Sequence, residues 1–117
     1  MELTGNHLLD WGPEPFLYSL ELYHEQGFLT YGGGIDLEDA RQPIKIEHNG
    51  NRLAILGCNR SGPENIWATE KMPGPSRCDL DWMEDEIQRL KRDRYLVVVT
   101  FQHYEVEDFQ PMNLTKQ

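Results

Sequence analysis

The sequence predicts an α/β fold, a mixed β-sheet with helices packed against it, and three observations carry that prediction. Residues 44–48 and 52–56 are β-prone stretches on either side of Asn49-Gly50-Asn51, whose residues tolerate positive φ, so the pair reads as a hairpin. Residues 95–101, Tyr-Leu-Val-Val-Val-Thr-Phe, are the continuous β-branched and apolar run expected of a strand covered on both faces. Two further stretches, 14–26 and 79–92, repeat apolar side chains at helical spacing.

Taken in order, Gly12-Pro13-Glu14-Pro15 opens the first helix, Phe16, Leu17, Leu20 and Tyr23 form its apolar stripe, and Gly27 stops it. Phe28-Leu29-Thr30-Tyr31 then reads as a short strand with a tight exit at Gly32-Gly33-Gly34. The same glycine run is also open to reading as an anion-binding nest, although it lacks the Lys and Ser or Thr of a phosphate loop. Asp36 can cap one or two helical turns over 36–41, which Pro43 ends. After the hairpin, 59–77 holds Gly62, Pro63, Pro73, Gly74 and Pro75 and shows no periodicity, so it reads as a long surface loop or lid. In the second helix, Asp81-x-x-Glu84 resembles a capping box, and Leu80, Met83, Ile87 and Leu90 form the stripe. The strand at 95–101 delivers Gln102 and His103 at its carboxyl end, where sites in such sheets gather.

Composition sets limits on function. A chain of 117 residues suffices for one modest domain or part of one, and 38% hydrophobic content with three Trp, five Tyr and four Phe can fill its core. Its 20 acidic and 11 basic residues give a formal charge of −9, which disfavours nucleic acid and anionic headgroups as partners. An anionic polymer would be held only with local help from a metal or a few Arg and Lys. No run of about 18 apolar residues exists, so direct membrane insertion is not expected, and the amino end has neither the basic nor the apolar region of an export signal. Cys58 and Cys78 are too few for a disulfide scaffold and are expected as two buried thiols, with pairing in an oxidising compartment as the alternative.

Two places hold residues suited to chemistry. Thr4-Gly5-Asn6-His7-x-x-Asp10 gathers an amide, an imidazole and a carboxylate in a loop before a helix, either to serve a divalent metal or to satisfy that loop's own backbone. His103 follows a buried strand, with Glu105 and Glu107 two and four positions on, so an imidazole and a carboxylate can converge at the strand's mouth.

These residues fall in an ordered pattern. Thr4-Gly5-Asn6-His7-Leu8-Leu9-Asp10-Trp11-Gly12 comes first, followed by Tyr31-Gly32-Gly33-Gly34 with Asp39-Ala40-Arg41 and Pro43. Asn49-Gly50 through Leu56-Gly57-Cys58-Asn59 and Phe101-Gln102-His103-Tyr104-x-Val106-Glu107 complete it. Over nearly the whole chain this order resembles the middle of CapA-type proteins of poly-γ-glutamate capsule synthesis. The resemblance implies an α/β sandwich related to calcineurin-like metallophosphoesterases, with one or two divalent metals (Mn, Zn or Fe). It implies Asn6 and His103 as metal ligands, His7 as the catalytic proton donor or phosphate contact, and Asp10 and Glu107 as supporting residues. Such metals lower the pKa of a bound water and polarise a substrate oxygen, giving a hydrolase or transfer centre for a phosphoester or an anionic polymer. A polymer-binding or assembly role without turnover is the alternative. Family members carry an earlier strand with an acidic metal-site residue and a later His-containing motif. Residues 1–117 are therefore expected to be a single partial domain, inactive alone, from a protein that works outside the cytoplasm or at the membrane.

Overall fold

The structure, a computed structural model, describes residues 1–103. The first helix, α1 (Pro13–Glu25), starts at the predicted Gly-Pro step: Gly12 sits at φ 88° and Pro13 occupies the first turn, where a missing N–H costs nothing. Phe16 and Leu20 are buried against Leu3, with Leu8, Leu9 and Tyr23 around them. The predicted strand at 28–31 does not form as such. Phe28 gives its N–H to the Tyr23 carbonyl at the end of α1, and Tyr31 makes only an isolated parallel bridge to Glu2.

The glycine run is itself the strand. β1 (Gly33–Gly34) pairs antiparallel with the later β4 (Gly74–Pro75). Close approach requires glycine here, since a Cβ on Gly33 would lie 2.5 Å from the Leu3 carbonyl oxygen. α2 (Leu37–Ala40) is the single turn expected, capped by Asp36 Oδ1, which accepts the Asp39 N–H at 2.8 Å.

The hairpin forms as read. β2 (Ile44–His48) and β3 (Asn51–Asn59) pair antiparallel from Ile44 with Ile55 to His48 with Asn51, and Asn49 and Gly50 take φ 50° and 80° in the turn. β3 runs three residues past the predicted end because β5 (Leu96–Gln102) pairs with it in parallel, from Leu53 with Leu96 to Asn59 with Gln102. The sheet order β2-β3-β5 is thus mixed, as predicted. The 59–77 segment contains a 3-10 turn (Glu64–Ile66) and β4, and much of it is inside: Ile66, Ala68 and residues 73–76 are buried.

α3 (Leu80–Arg92) covers one face of the sheet. Met83 and Leu90 pack on Ala54, Leu56 and Cys58, with Ile87, Val97 and Val99 alongside. Its cap is Asp79, whose Oδ1 accepts the Trp82 N–H at 3.1 Å, and the predicted Asp81-Glu84 box lies inside the helix. Glu86 is buried on this helix, its carboxylate accepting two N–H groups of Arg89 at 3.0 and 2.7 Å. Those bonds, and then the carboxylate's charge, hold the Arg89 guanidinium above its ordinary range. The expectation that the last strand is covered on both faces is not met among the described residues. Leu96 and Val98, on the face away from α3, are 71% and 41% exposed, because α1 packs on Leu3 instead.

Cys58 and Cys78 form a disulfide, which corrects the expectation of two thiols. The physical reason is backbone pairing: Asn59 bridges Arg77 in parallel, and the Cys78 N–H donates to the Asn59 carbonyl at 3.0 Å. That register places the two Cα atoms 4.9 Å apart, within bonding reach.

Candidate functional site at the carboxyl ends of the parallel strands

β3 and β5 end together at Asn59 and Gln102, and the polypeptide around this end is tied down by one side chain. Asn59 is fully buried. Its Nδ2 donates to the Thr4 carbonyl at 2.7 Å, and its Oδ1 accepts from the Gly62 N–H and the Trp67 Nε1–H, both at 2.9 Å. Its own N–H donates to the Ser76 carbonyl at 2.7 Å. One amide therefore joins the amino-terminal segment, the 59–77 segment and the end of the sheet. Nothing in the local sequence marks Asn59 as a site organiser beyond its place at the end of a strand followed by loop formers.

Beyond Thr4 the backbone turns tightly, with Leu8 N–H to Gly5 O, Asp10 N–H to His7 O and Gly12 N–H to Leu9 O. This folding returns Asp10 to His7, whose Nδ1 lies 2.9 Å from Asp10 Oδ2. Both side chains are open to solvent, at 79% and 53% exposure. A carboxylate on Nδ1 favours the tautomer that carries its N–H there, in which Nε2 is the acceptor nitrogen that can ligate a metal. Asn6 is half-buried in the same loop. Glu2, upstream, accepts hydroxyl hydrogen bonds from Thr4 at 2.7 Å and Thr100 at 2.8 Å, fixing the segment across β5.

His103 follows β5 directly and is half-buried. Because Thr4 is bonded to Asn59 and Asn59 is paired with Gln102, the Thr4–His7 segment and His103 leave the same end of the sheet. The structure brings His7 and Asp10 into contact and sets Asn6 beside them in the chain. Glu107 lies outside the described residues. Among the described residues no group of three His, Cys, Asp or Glu side chains is disposed to hold a metal ion. A metal bound there would need donors beyond those grouped among the described residues.

A second feature occupies this end of the sheet. Arg60, Trp67, Arg77, Cys78, Leu80 and Phe101 line a cleft of about 330 Å³. The Arg77 guanidinium lies 4.5 Å from the centre of the Trp67 ring, and Trp67 is in turn held by Asn59. No helix among the described residues is long and apolar enough to cross a membrane.

Compared with known proteins, the chain matches the family model described as bacterial capsule synthesis protein PGA_cap over residues 1–116. No curated protein matches it.

Proposed function

Because the chain belongs to the bacterial capsule synthesis protein family, we propose that it serves poly-γ-glutamate capsule synthesis as part of a metal-dependent phosphoesterase-like centre built on Asn6, His7 and His103. The observation that carries this reading is the Asp10-oriented imidazole of His7, leaving the same sheet end as His103. A divalent Mn, Zn or Fe ion, when bound, would supply an activated water and polarise a substrate oxygen. Asn6 and His103 are the assigned ligands, and Asp10 and Glu107 support them. The chain's own contribution is more specific: Asp10 fixes the ring of His7, and Nε2 is the atom that gives or takes a proton at the substrate. The Cys58-Cys78 disulfide supports work outside the cytoplasm, since such bonds persist in oxidising compartments.

The test is a titration of Mn²⁺ or Zn²⁺ into the chain and into His7→Ala and His103→Ala variants by calorimetry, with phosphoester hydrolysis followed in parallel. Metal uptake that falls in His103→Ala, with turnover lost in both variants, supports a shared centre. Equal uptake by all three proteins refutes it. Uptake that depends on His103, without turnover even in a version extended at both ends, favours the second reading, a polymer-binding or assembly component.

A further inference from the structure

The −9 charge of the chain makes any anionic ligand depend on local cations. Most of the ordered arginines near the sheet are already committed. Arg41 donates to Asp79 and stacks on Trp82, Arg52 binds Glu47 and Tyr95, and Arg89 holds Glu86. Arg60 and Arg77 differ. Both are exposed, and neither makes an ion pair or side-chain hydrogen bond among the described residues. Both line the same cleft, whose other walls among the described residues are Trp67, Phe101, Leu80 and the Cys78 end of the disulfide, none of them a carboxylate.

We infer that this cleft binds an anionic chain whose carboxylates are separated by methylene groups, with Arg60 and Arg77 as the carboxylate contacts. The inference rests on the capsule-synthesis reading and adds to it a subsite distinct from His7 and His103. Three features argue for it. The stack on Trp67 pre-orders the Arg77 guanidinium while leaving its edge N–H groups free for a carboxylate, the bidentate geometry in which arginine binds most strongly. Arg60 is fixed at its root, since its N–H donates to the Gln102 carbonyl at 3.0 Å where the two strands end. Finally, the rest of the described lining, Trp67, Leu80, Phe101 and Cys78, is apolar and aromatic, which suits methylene spacers and is a poor surface for a chain hydrated along its whole length, such as polyphosphate. Arg60 and Phe101 place the cleft beside the strand ends from which the His7 loop and His103 also leave.

The experiment measures anisotropy of a fluorescently labelled γ-linked glutamate oligomer titrated with the full chain at low salt, in EDTA. The expected result is metal-independent binding that weakens about tenfold in Arg60→Ala and in Arg77→Ala, as loss of a charge-assisted contact predicts. Arg77→Lys recovers only part of the loss, and Lys91→Ala, which removes an exposed cation of α3 outside the cleft, binds like the parent. Far-UV circular dichroism confirms that each variant is folded. Absence of binding by the parent chain, or equal binding by both alanine variants, overturns the cleft. Binding that needs metal and His7 but neither arginine overturns it while leaving the capsule-synthesis reading standing. Polyphosphate binding as tightly with the same arginine dependence overturns the assignment to carboxylates.

Discussion

Breaking the Cys58-Cys78 bond is the most informative perturbation, because the bond closes the 59–77 segment onto the sheet and forms a wall of the cleft. The two cysteines are 20 positions apart. In the chain-entropy account, a crosslink closing a loop of that length removes roughly 11 cal/mol/K from the unfolded ensemble, or about 3 kcal/mol at 25 °C. With a urea dependence of about 1.5 kcal/mol/M for a chain of this size, the midpoint should fall by roughly 2 M. The assay is urea unfolding followed by tryptophan fluorescence, with and without dithiothreitol, and on a Cys58→Ala/Cys78→Ala double variant. Thiol titration of the untreated, denatured protein is the companion measurement. An unchanged midpoint in reductant, with two free thiols in protein prepared under oxidising conditions, would refute the pairing and restore the two buried thiols that the sequence suggested.

Three further predictions concern single side chains. Asn59→Ala leaves the Thr4 carbonyl, the Gly62 N–H and the Trp67 indole without their partner, and should cost about 3 kcal/mol by denaturant unfolding. Gly33→Ala drives a Cβ to 2.5 Å from the Leu3 carbonyl oxygen, a backbone atom, and should lower stability by roughly 2 kcal/mol in the same assay. Asp79→Ala removes the cap of α3 and should cost about 1 kcal/mol, whereas Asp81→Ala should change the midpoint by less than about half of that. Equal effects at the two positions would return the cap to the Asp81-Glu84 box.

What was legible in the sequence was what local pattern determines. Asn49-Gly50 specifies its turn by backbone chemistry alone, the stripes of α1 and α3 follow helical spacing, and the run of valines has the composition of a strand, although not of the half-exposed one it forms among the described residues. What was not legible depends on distant partners. Phe28 has strand propensity, yet its N–H is taken by the last turn of α1. Gly33 and Gly34, poor strand formers, pair because Gly74 and Pro75 meet them from 40 residues away. Asp79 caps α3 in place of the predicted Asp81, because the helix begins at Leu80 and puts the Trp82 N–H within reach of Asp79 Oδ1. The site shows the same division. His7 and Asp10 were recognisable as a local pair, while the hold of Asn59 on Thr4 spans 55 positions and left no local pattern.

The parallel pairing of β3 with β5 also bears on the order in which the molecule assembles. β2 and β3 are joined by a two-residue turn, and such hairpins close within microseconds. β5 reaches β3 only across the 59–77 segment and α3, so this non-local parallel pairing is expected to form later than the hairpin. Asn59 meets Gln102, and Arg60 reaches the Gln102 carbonyl, only at that step. The strand end that carries the candidate centre and the cleft therefore comes into being after the hairpin, and its ligand-binding capacity should report on later folding rather than on early collapse.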